Sequence, residues 1–263
     1  MTAGADLHRI QAYLRVAAPR GRDAEKIGPF LATVNRDTDN PYLNYAIPDD
    51  DASPSPSEID ALVAAYRARD RTPRLEYIPS IAPDVEPALR VARFEVESRT
   101  PLMIYTGNVS ARREVPEGIE LVSAASDDEL RGVATAQWEA YEEEGQPPQR
   151  VVDSLRRALD AGALVALARD AETHEAAGAG LCTSPQDGAT ELTSVGVRER
   201  FRRRGIAEVM THWLADRMSA RGVDCVFLMA DSEREERIYA RAGFETVSEV
   251  LHISLKSAAR SRC

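Results

Sequence analysis

A basic turn stands between an apolar segment and a helical segment in the second half of the chain. The turn is Arg202-Arg203-Arg204-Gly205-Ile206-Ala207. The first backbone N–H groups of a helix have no partner within the helix, and the helix dipole adds partial positive charge there. Gly205 permits close approach to the backbone, and three arginines add charge that a structural turn does not need. The turn therefore predicts an anion site suited to a diphosphate, with a solvated basic turn as the alternative.

The segments on either side of the turn extend the pattern. Residues 191–197 are an apolar stretch before it, residues 224–230 are a second one after it, and residues 232–244 carry Tyr239 four residues before Gly243-Phe244. The turn resembles the Arg/Gln-x-x-Gly-x-Gly/Ala signature of the GCN5-related N-acetyltransferases (GNAT). The flanking segments resemble that family's fourth strand, fifth strand and fourth helix, in the family's order. The resemblance covers residues 118–255 and implies the GNAT acyl-CoA N-acyltransferase fold, an α/β fold with a mixed sheet.

The resemblance also implies how acetyl-coenzyme A (acetyl-CoA) binds. In the family the fourth and fifth strands splay apart and the acyl donor lies between them. The backbone of Val195, Gly196 and Val197 would then pair with the pantetheine amides as a strand does. The diphosphate would lie on the turn, whose members are Arg202, Arg203, Arg204, Gly205, Ile206 and Ala207.

Two side chains are candidates for proton transfer, because the family's reaction is direct attack of a neutral amine on the thioester. The resemblance places the Tyr239 hydroxyl beside the thioester sulfur, and a phenol pKa of about 10 suits a thiolate leaving group. Glu191, which starts the fourth strand, is the candidate base. The alternatives are a packing role for Tyr239 and a solvated strand end for Glu191. His252 is a further candidate base, with a structural imidazole as its alternative.

An acidic run, Glu142-Glu143-Glu144, lies between the first two helices expected in this half. In the family this loop overhangs the acceptor pocket. Three adjacent carboxylates could steer a cationic acceptor such as a polyamine or an amino sugar towards the site. A charge run in a loop is otherwise simply solvated.

Composition narrows the function class. The formal net charge of −10 argues against a nucleic-acid surface, which needs a basic face, and favours a cationic substrate. No window approaches eighteen apolar residues and the N-terminus lacks a signal-peptide pattern, so we expect no membrane association and a cytoplasmic location. The three cysteines (Cys182, Cys225 and Cys263) and four histidines do not cluster in sequence. We therefore expect reduced thiols and no metal.

The 263 residues predict two small domains. Residues 1–106 form the first, residues 107–117 a polar linker, residues 118–257 the catalytic domain, and residues 258–263 a loose tail. Shifting the sequence by 150 residues aligns four elements of the first half with the second without a gap, which predicts an internal repeat of the acetyltransferase fold.

The repeat shows what the first half lacks. Residues 52–57, Ala-Ser-Pro-Ser-Pro-Ser, stand at the positions of the basic turn, and two prolines there cannot donate backbone hydrogen bonds. Leu89 stands at the position of Tyr239, and Arg93 at that of Gly243. The first half is therefore predicted to be a degenerate GNAT-like domain without a diphosphate site or a proton donor.

Periodicity predicts the elements of the second half. Strands are expected at residues 119–123, 163–169, 176–183 and 191–197, and helices at residues 127–141 and 151–161. Together these elements predict a mixed sheet with helices on both faces.

These observations predict a tandem GNAT protein whose second half transfers an acetyl or short acyl group from acetyl-CoA to the primary amine of a small cationic acceptor. The chain is expected to be a monomer or a homodimer. Two alternatives stay open: a non-catalytic acyl-CoA-binding sensor, and an N-acetyltransferase acting on proteins or peptides. A main role of the first half as an oligomer interface also stays open.

Overall fold

The computed structural model describes residues 3–109 and 114–256, which form two compact units. Unit 1 comprises residues 3–102 and 247–256, and unit 2 comprises residues 103–109 and 114–246. Residues 110–113 of the predicted linker, and the predicted tail at 258–263 with Cys263, lie outside the described residues.

The boundary of unit 1 differs from the sequence-based expectation, which kept residues 118–257 together. Residues 251–254 pair antiparallel with residues 74–77, and Leu251 and Ile253 are fully buried in the core of unit 1. The apolar alternation of this last strand fits either unit, so the sequence alone does not reveal which core it enters.

Unit 1 begins with helix α1 (Ala3–Ala17) and the strands β1 (Asp23–Ile27), β2 (Phe30–Val34) and β3 (Tyr45–Pro48). The chain continues through α2 (Pro56–Arg67), β4 (Arg74–Tyr77), α3 (Val85–Val91) and β5 (Glu95–Tyr105), whose last residues belong to unit 2. Strands β1, β2 and β3 pair antiparallel in that order, and β3 pairs parallel with β4. Helix α2 buries Ile59, Leu62 and Tyr66 on one face, as helical spacing requires.

A buried ionic network fills part of unit 1 around Arg74, which is 1% exposed. Its guanidinium donates to Glu97 at 2.8 Å, to Glu76, and to Nδ1 of His252 at 3.0 Å. His252, a candidate base in the sequence, thus lies in unit 1 as a hydrogen-bonded imidazole.

Unit 2 contains the strands β6 (Ile119–Ser123), β7 (Leu164–Asp170), β8 (Ala176–Cys182), β9 (Ala189–Val197) and β10 (Cys225–Met229). Its helices are α4 (Asp127–Ala140), α5 (Gln149–Asp160), α6 (Ile206–Ala220) and α7 (Glu233–Arg241), and β11 (Phe244–Ser254) begins in it. The sheet order is β10-β9-β8-β7-β6. Only β9 and β10 are parallel within this order, so the sheet is mixed, as predicted. The predicted strands and helices agree with the observed bounds to within two residues.

The two units share an order of elements at a constant offset. Helix α2 begins at Pro56 and α6 at Ile206, which is 150 residues later, and α3 and α7 end at residues 91 and 241 with the same difference. Two residues after these ends, Arg93 and Gly243 both adopt a left-handed conformation, with φ of +66° and +95°. This agreement in sequence position and backbone conformation supports an internal repeat.

Other expectations concern thiols, metals and membranes. Cys182 and Cys225 are buried, and neither forms a disulfide within the described residues. Within residues 3–109 and 114–256, no group of three or more His, Cys, Asp or Glu side chains could hold a metal ion. No helix in these same ranges is both long enough and apolar enough to cross a membrane.

Candidate active site

A cleft of about 670 Å³ opens in unit 2 beside the end of strand β9. The parallel ladder between β9 and β10 runs from Cys225↔Ala189 to Phe227↔Glu191 and stops there. Residues 195–197 of β9 then line the cleft together with the basic turn, the first turn of α6, the end of α4 and one face of α7. The predicted splay of the two strands is therefore present.

A bulge directs β9 towards the cleft. Ser194 has a φ of +56°, and the pairing register with β8 shifts between Ala179 and Leu181. The Gln137 amide of α4 donates to the Ser194 carbonyl at 3.1 Å and holds the bulge. A Cβ at Gly196 would lie 2.7 Å from the Ala140 Cβ, so close packing of α4 on β9 requires glycine there.

The basic turn leaves the N-terminus of α6 open. Gly205 is the N-cap residue, with a left-handed φ of +87°, and no side chain caps the helix. Gly205, Ile206 and Ala207 all line the cleft. The first-turn N–H groups of a 15-residue helix have no partners within the helix, and the residues from Gly205 to Ala207 place them at the cleft, as an anion site requires.

The three arginines of the turn have different surroundings. Arg202 donates to the carbonyls of Val197 at 3.1 Å and Ala140 at 3.3 Å, so it ties the turn to β9 and α4. Arg203 is exposed and lines the cleft. Arg204, predicted to bind the diphosphate, is not among the described residues that line the cleft. Its guanidinium donates to the Glu117 carbonyl at 2.8 Å instead.

Tyr239 lies half-buried on α7, packed against the core of unit 2 with its ring 6.5 Å from that of Phe244. Burial, followed by the nearby negative charge of Glu235, raises the pKa of its phenol above the ordinary value. Tyr141, which the sequence analysis did not select, lines the cleft at the end of α4. Desolvation of the ring against the cleft, followed by the carboxylates of Glu235 and Asp231, raises its pKa as well, although 56% of the residue is exposed. Both phenols therefore stay protonated at neutral pH.

The predicted carboxylates are not among the described residues that line the cleft. Glu191 lies at the last pair of the β9·β10 ladder, with its backbone N–H donating to the Thr183 hydroxyl at 3.1 Å. Glu142, Glu143 and Glu144 are exposed and follow Tyr141 directly. The Trp138 indole donates to the Glu144 carbonyl at 3.0 Å and fixes the course of this loop.

Helix α7 contributes cleft residues that the sequence analysis missed. Arg234, Arg237 and Arg241 all line the cleft, and their spacing of three and four residues places them on one helix face. That spacing was a usable signal for a basic face. Arg241 donates through Nε to the buried Glu208 carboxylate of α6 at 2.8 Å.

Comparisons with known proteins agree with this geometry. The model of the acetyltransferase (GNAT) family matches residues 113–244, which is half of the chain. A GCN5-related N-acetyltransferase from Kribbella flavida has a similar structure, with a TM-score of 0.75 and 22% identity over 97% of each chain. Another, from Sphaerobacter thermophilus, has a TM-score of 0.63 and 18% identity, over 86% of this chain and 76% of the other.

A tandem GNAT protein from the clavulanic acid biosynthesis pathway is also similar, with a TM-score of 0.63 and 13% identity, over 87% of this chain and 79% of the other. No curated protein matches the chain by sequence. Identities this low show a common fold, whereas the family match covers the residues that form the cleft. The chain therefore belongs to the GNAT family of acetyltransferases and is an acyltransferase that uses acetyl-CoA as its acyl donor.

Proposed function

We propose that unit 2 transfers an acetyl or short acyl group from acetyl-CoA to the primary amine of a small cationic acceptor. The observation that carries this proposal is the uncapped N-terminus of α6, which meets the cleft beside the point where β9 leaves β10. A helix end of this kind suits a diphosphate, and the free edge of a strand suits an extended chain that carries amides.

The acyl donor is held by backbone and by charge. The backbone of Val195, Gly196 and Val197 pairs with the pantetheine amides, and the N–H groups at Gly205 to Ala207 bind the diphosphate. Arg203 and the arginines of α7 add positive charge along the same cleft. Arg202 supports the turn through its two carbonyl contacts, and Arg204 through the Glu117 carbonyl.

The chemical step is attack of the neutral amine nitrogen on the thioester carbonyl. The new C–N bond forms, the C–S bond breaks, and the thiolate takes a proton from a phenol. Tyr239 is our first choice for this donor because the family resemblance places its hydroxyl beside the thioester sulfur. It is protonated at neutral pH, although burial raises its pKa and makes it a weaker acid than an exposed phenol. Tyr141 has the same chemistry and lines the cleft directly, so it is the competing donor. Glu191 remains the candidate acceptor of the amine proton, directly or through water.

A cationic acceptor fits the carboxylates near the two phenols. Glu235 lines the cleft, and the charges of Glu235 and Asp231 act on both Tyr239 and Tyr141. The acidic run at residues 142–144 follows Tyr141 directly, and the chain carries a net charge of −10. Carboxylates at the rim of a cleft raise the local concentration of a cationic amine.

Unit 1 is proposed to bind no acyl-CoA. The N-terminus of its helix α2 is closed by a capping box between Ser55 and Glu58, and Pro56 follows as the first helical residue. The N–H groups of Ser55 and Glu58 already have partners, Pro56 has no N–H, and the Glu58 carboxylate lies where the anion would bind.

The test is a calorimetric titration of the full chain with acetyl-CoA, followed by a thiol-release assay over a panel of amines. We expect one site per chain and turnover with polyamines or amino sugars. Two sites would overturn the proposal for unit 1, and binding without turnover on any amine, including peptide amines, would identify a sensor instead.

Tyr239→Phe and Tyr141→Phe form a matched pair that tests the proton donor. If one of these tyrosines is the proton donor, its Phe variant should lose most of kcat and keep its affinity for acetyl-CoA. If kcat is unchanged in both variants, neither phenol takes part in the mechanism.

A further inference from the structure

We propose that Arg241 is a positioning residue. It holds the Glu208 carboxylate away from the N-terminus of α6, so that this N-terminus stays open for the diphosphate of the acyl donor. The inference rests on the proposed diphosphate site, and it assigns a role to the ion pair between Arg241 and Glu208.

The first observation is the position of Glu208 itself. It is the third residue of α6, it is 7% exposed, and it lies in the wall of the cleft. A glutamate at this helix position is within reach of the N-cap backbone, where it normally completes a capping box. In this chain its Oε2 instead accepts from Arg241 Nε of α7 at 2.8 Å.

The second observation comes from the corresponding helix of unit 1, in which the equivalent glutamate does cap the helix N-terminus. Glu58 stands 150 residues before Glu208 and is likewise the third residue of its helix, α2. Its carboxylate accepts from the Ser55 backbone N–H at 2.8 Å and from the Ser55 hydroxyl at 2.7 Å. The position that corresponds to Arg241 is Val91, which is 85% exposed and cannot bind a carboxylate.

Electrostatics explains why the partner of this glutamate matters. A buried carboxylate that loses its cation must find new donors or become protonated. For Glu208 the open N–H groups at Gly205 and Ile206 are donors on its own helix turn, and the helix dipole favours a negative charge there. Moving to them would place a carboxylate where the diphosphate binds. By binding the Glu208 carboxylate, Arg241 therefore keeps this carboxylate from competing with the diphosphate for the N-terminus of α6.

The test is a double-mutant comparison of acetyl-CoA affinity, by calorimetry, in Arg241→Met, Glu208→Gln and the double variant. We expect Arg241→Met to weaken binding about tenfold or more, because the Glu208 carboxylate then competes with the diphosphate. Glu208→Gln should bind as tightly as the native chain or more tightly. The double variant should recover to within about threefold of the native affinity, because the glutamine carries no charge to compete. In steady-state assays the loss in Arg241→Met should fall on KM for acetyl-CoA rather than on kcat.

A matched control is Arg237→Met with and without Glu208→Gln. Arg237 lines the same cleft but pairs with the exposed Glu233 at 3.0 Å, so Glu208→Gln should not rescue it. Thermal unfolding checks that each variant is folded. If Arg241→Met does not fold, Arg241→Gln replaces it, since glutamine keeps hydrogen-bonding capacity and removes the charge.

Two results would overturn this inference and leave the proposed diphosphate site intact. A double variant as weak as Arg241→Met would mean that Arg241 contacts the phosphates directly. Rescue of Arg237→Met by Glu208→Gln would mean that only the total charge of the cleft matters. Failure of the proposed diphosphate site is a separate outcome, recognised when the native chain does not bind acetyl-CoA or when a negative charge at Gly205 leaves the affinity intact. That outcome would overturn this inference together with the site.

Discussion

A negative charge at Gly205 should weaken acetyl-CoA binding strongly while leaving unit 2 folded. The sharpest comparison is Gly205→Asp against Gly205→Asn, because the two side chains have nearly the same shape and differ in charge. Both must adopt the left-handed φ of +87° found at Gly205, and Asn and Asp tolerate this conformation better than other residues. The shared backbone strain should cost each variant about 1 kcal/mol of stability.

Compared with Gly205→Asn, Gly205→Asp should therefore be more stable and should bind acetyl-CoA more weakly. Asp at a helix N-terminus is favoured over Asn by about 0.3–1 kcal/mol because it complements the dipole. A carboxylate about 5 Å from a diphosphate repels each of its charges by about 3 kcal/mol at an effective dielectric of about 20. Screening by salt leaves about 2–3 kcal/mol, which corresponds to roughly 30- to 150-fold in Kd.

Calorimetry and thermal unfolding of the same samples measure both quantities. We expect Gly205→Asn to bind acetyl-CoA within about tenfold of the native chain, whereas Gly205→Asp binds at least about 30-fold more weakly than Gly205→Asn although its Tm is equal or higher. Equal affinities for the two variants, with both folded, would show that no anion lies over this turn. The reasoning from the uncapped helix would then be refuted.

Three further predictions concern other parts of the chain. Replacing the acidic run Glu142–Glu144 by glutamines should raise KM for a cationic acceptor about two- to fivefold, more at low salt than at high salt, in assays at two ionic strengths. Arg74→Met leaves the carboxylates of the network in unit 1 without their cation, and it should lower the free energy of unfolding by about 3 kcal/mol in denaturant titrations. Ser55→Ala removes the cap of α2, so it should cost about 1 kcal/mol by the same measurement and leave the stoichiometry of acetyl-CoA binding at one per chain.

Local sequence was sufficient to predict the elements that build the cleft. The helix at residues 127–140 begins at Ser126 with Glu129 three residues later, and this capping box marks its start. The basic turn was recognisable because glycine is one of the few residues suited to the left-handed N-cap that Gly205 adopts. Both signals depend on a few neighbouring residues, so they do not require knowledge of the tertiary structure.

Side-chain direction and long-range pairing could not be predicted in the same way. Arg204 looks like its neighbours in the sequence, yet the Glu117 carbonyl, 87 residues away, takes its guanidinium. The last strand carries an alternation that suits either unit, and only its pairing with β4 places it in unit 1. Tyr141 was missed because the end of a helix gives no sign that it will meet a helix as distant in sequence as α7.

The helices α2 and α6 show how one fold element can serve two purposes. In α2, Ser55 and Glu58 satisfy the helix N-terminus, which stabilises the unit by about 1 kcal/mol and closes the anion site. In α6 the N-cap residue Gly205 has no side chain that could cap the helix, and the equivalent Glu208 pairs with Arg241. Under the proposed function, a bound diphosphate supplies the partners that the N-terminus of α6 lacks. For this reason saturating acetyl-CoA should raise the stability of unit 2, by an amount set by ligand concentration over Kd, and should leave α2 of unit 1 unaffected in hydrogen exchange.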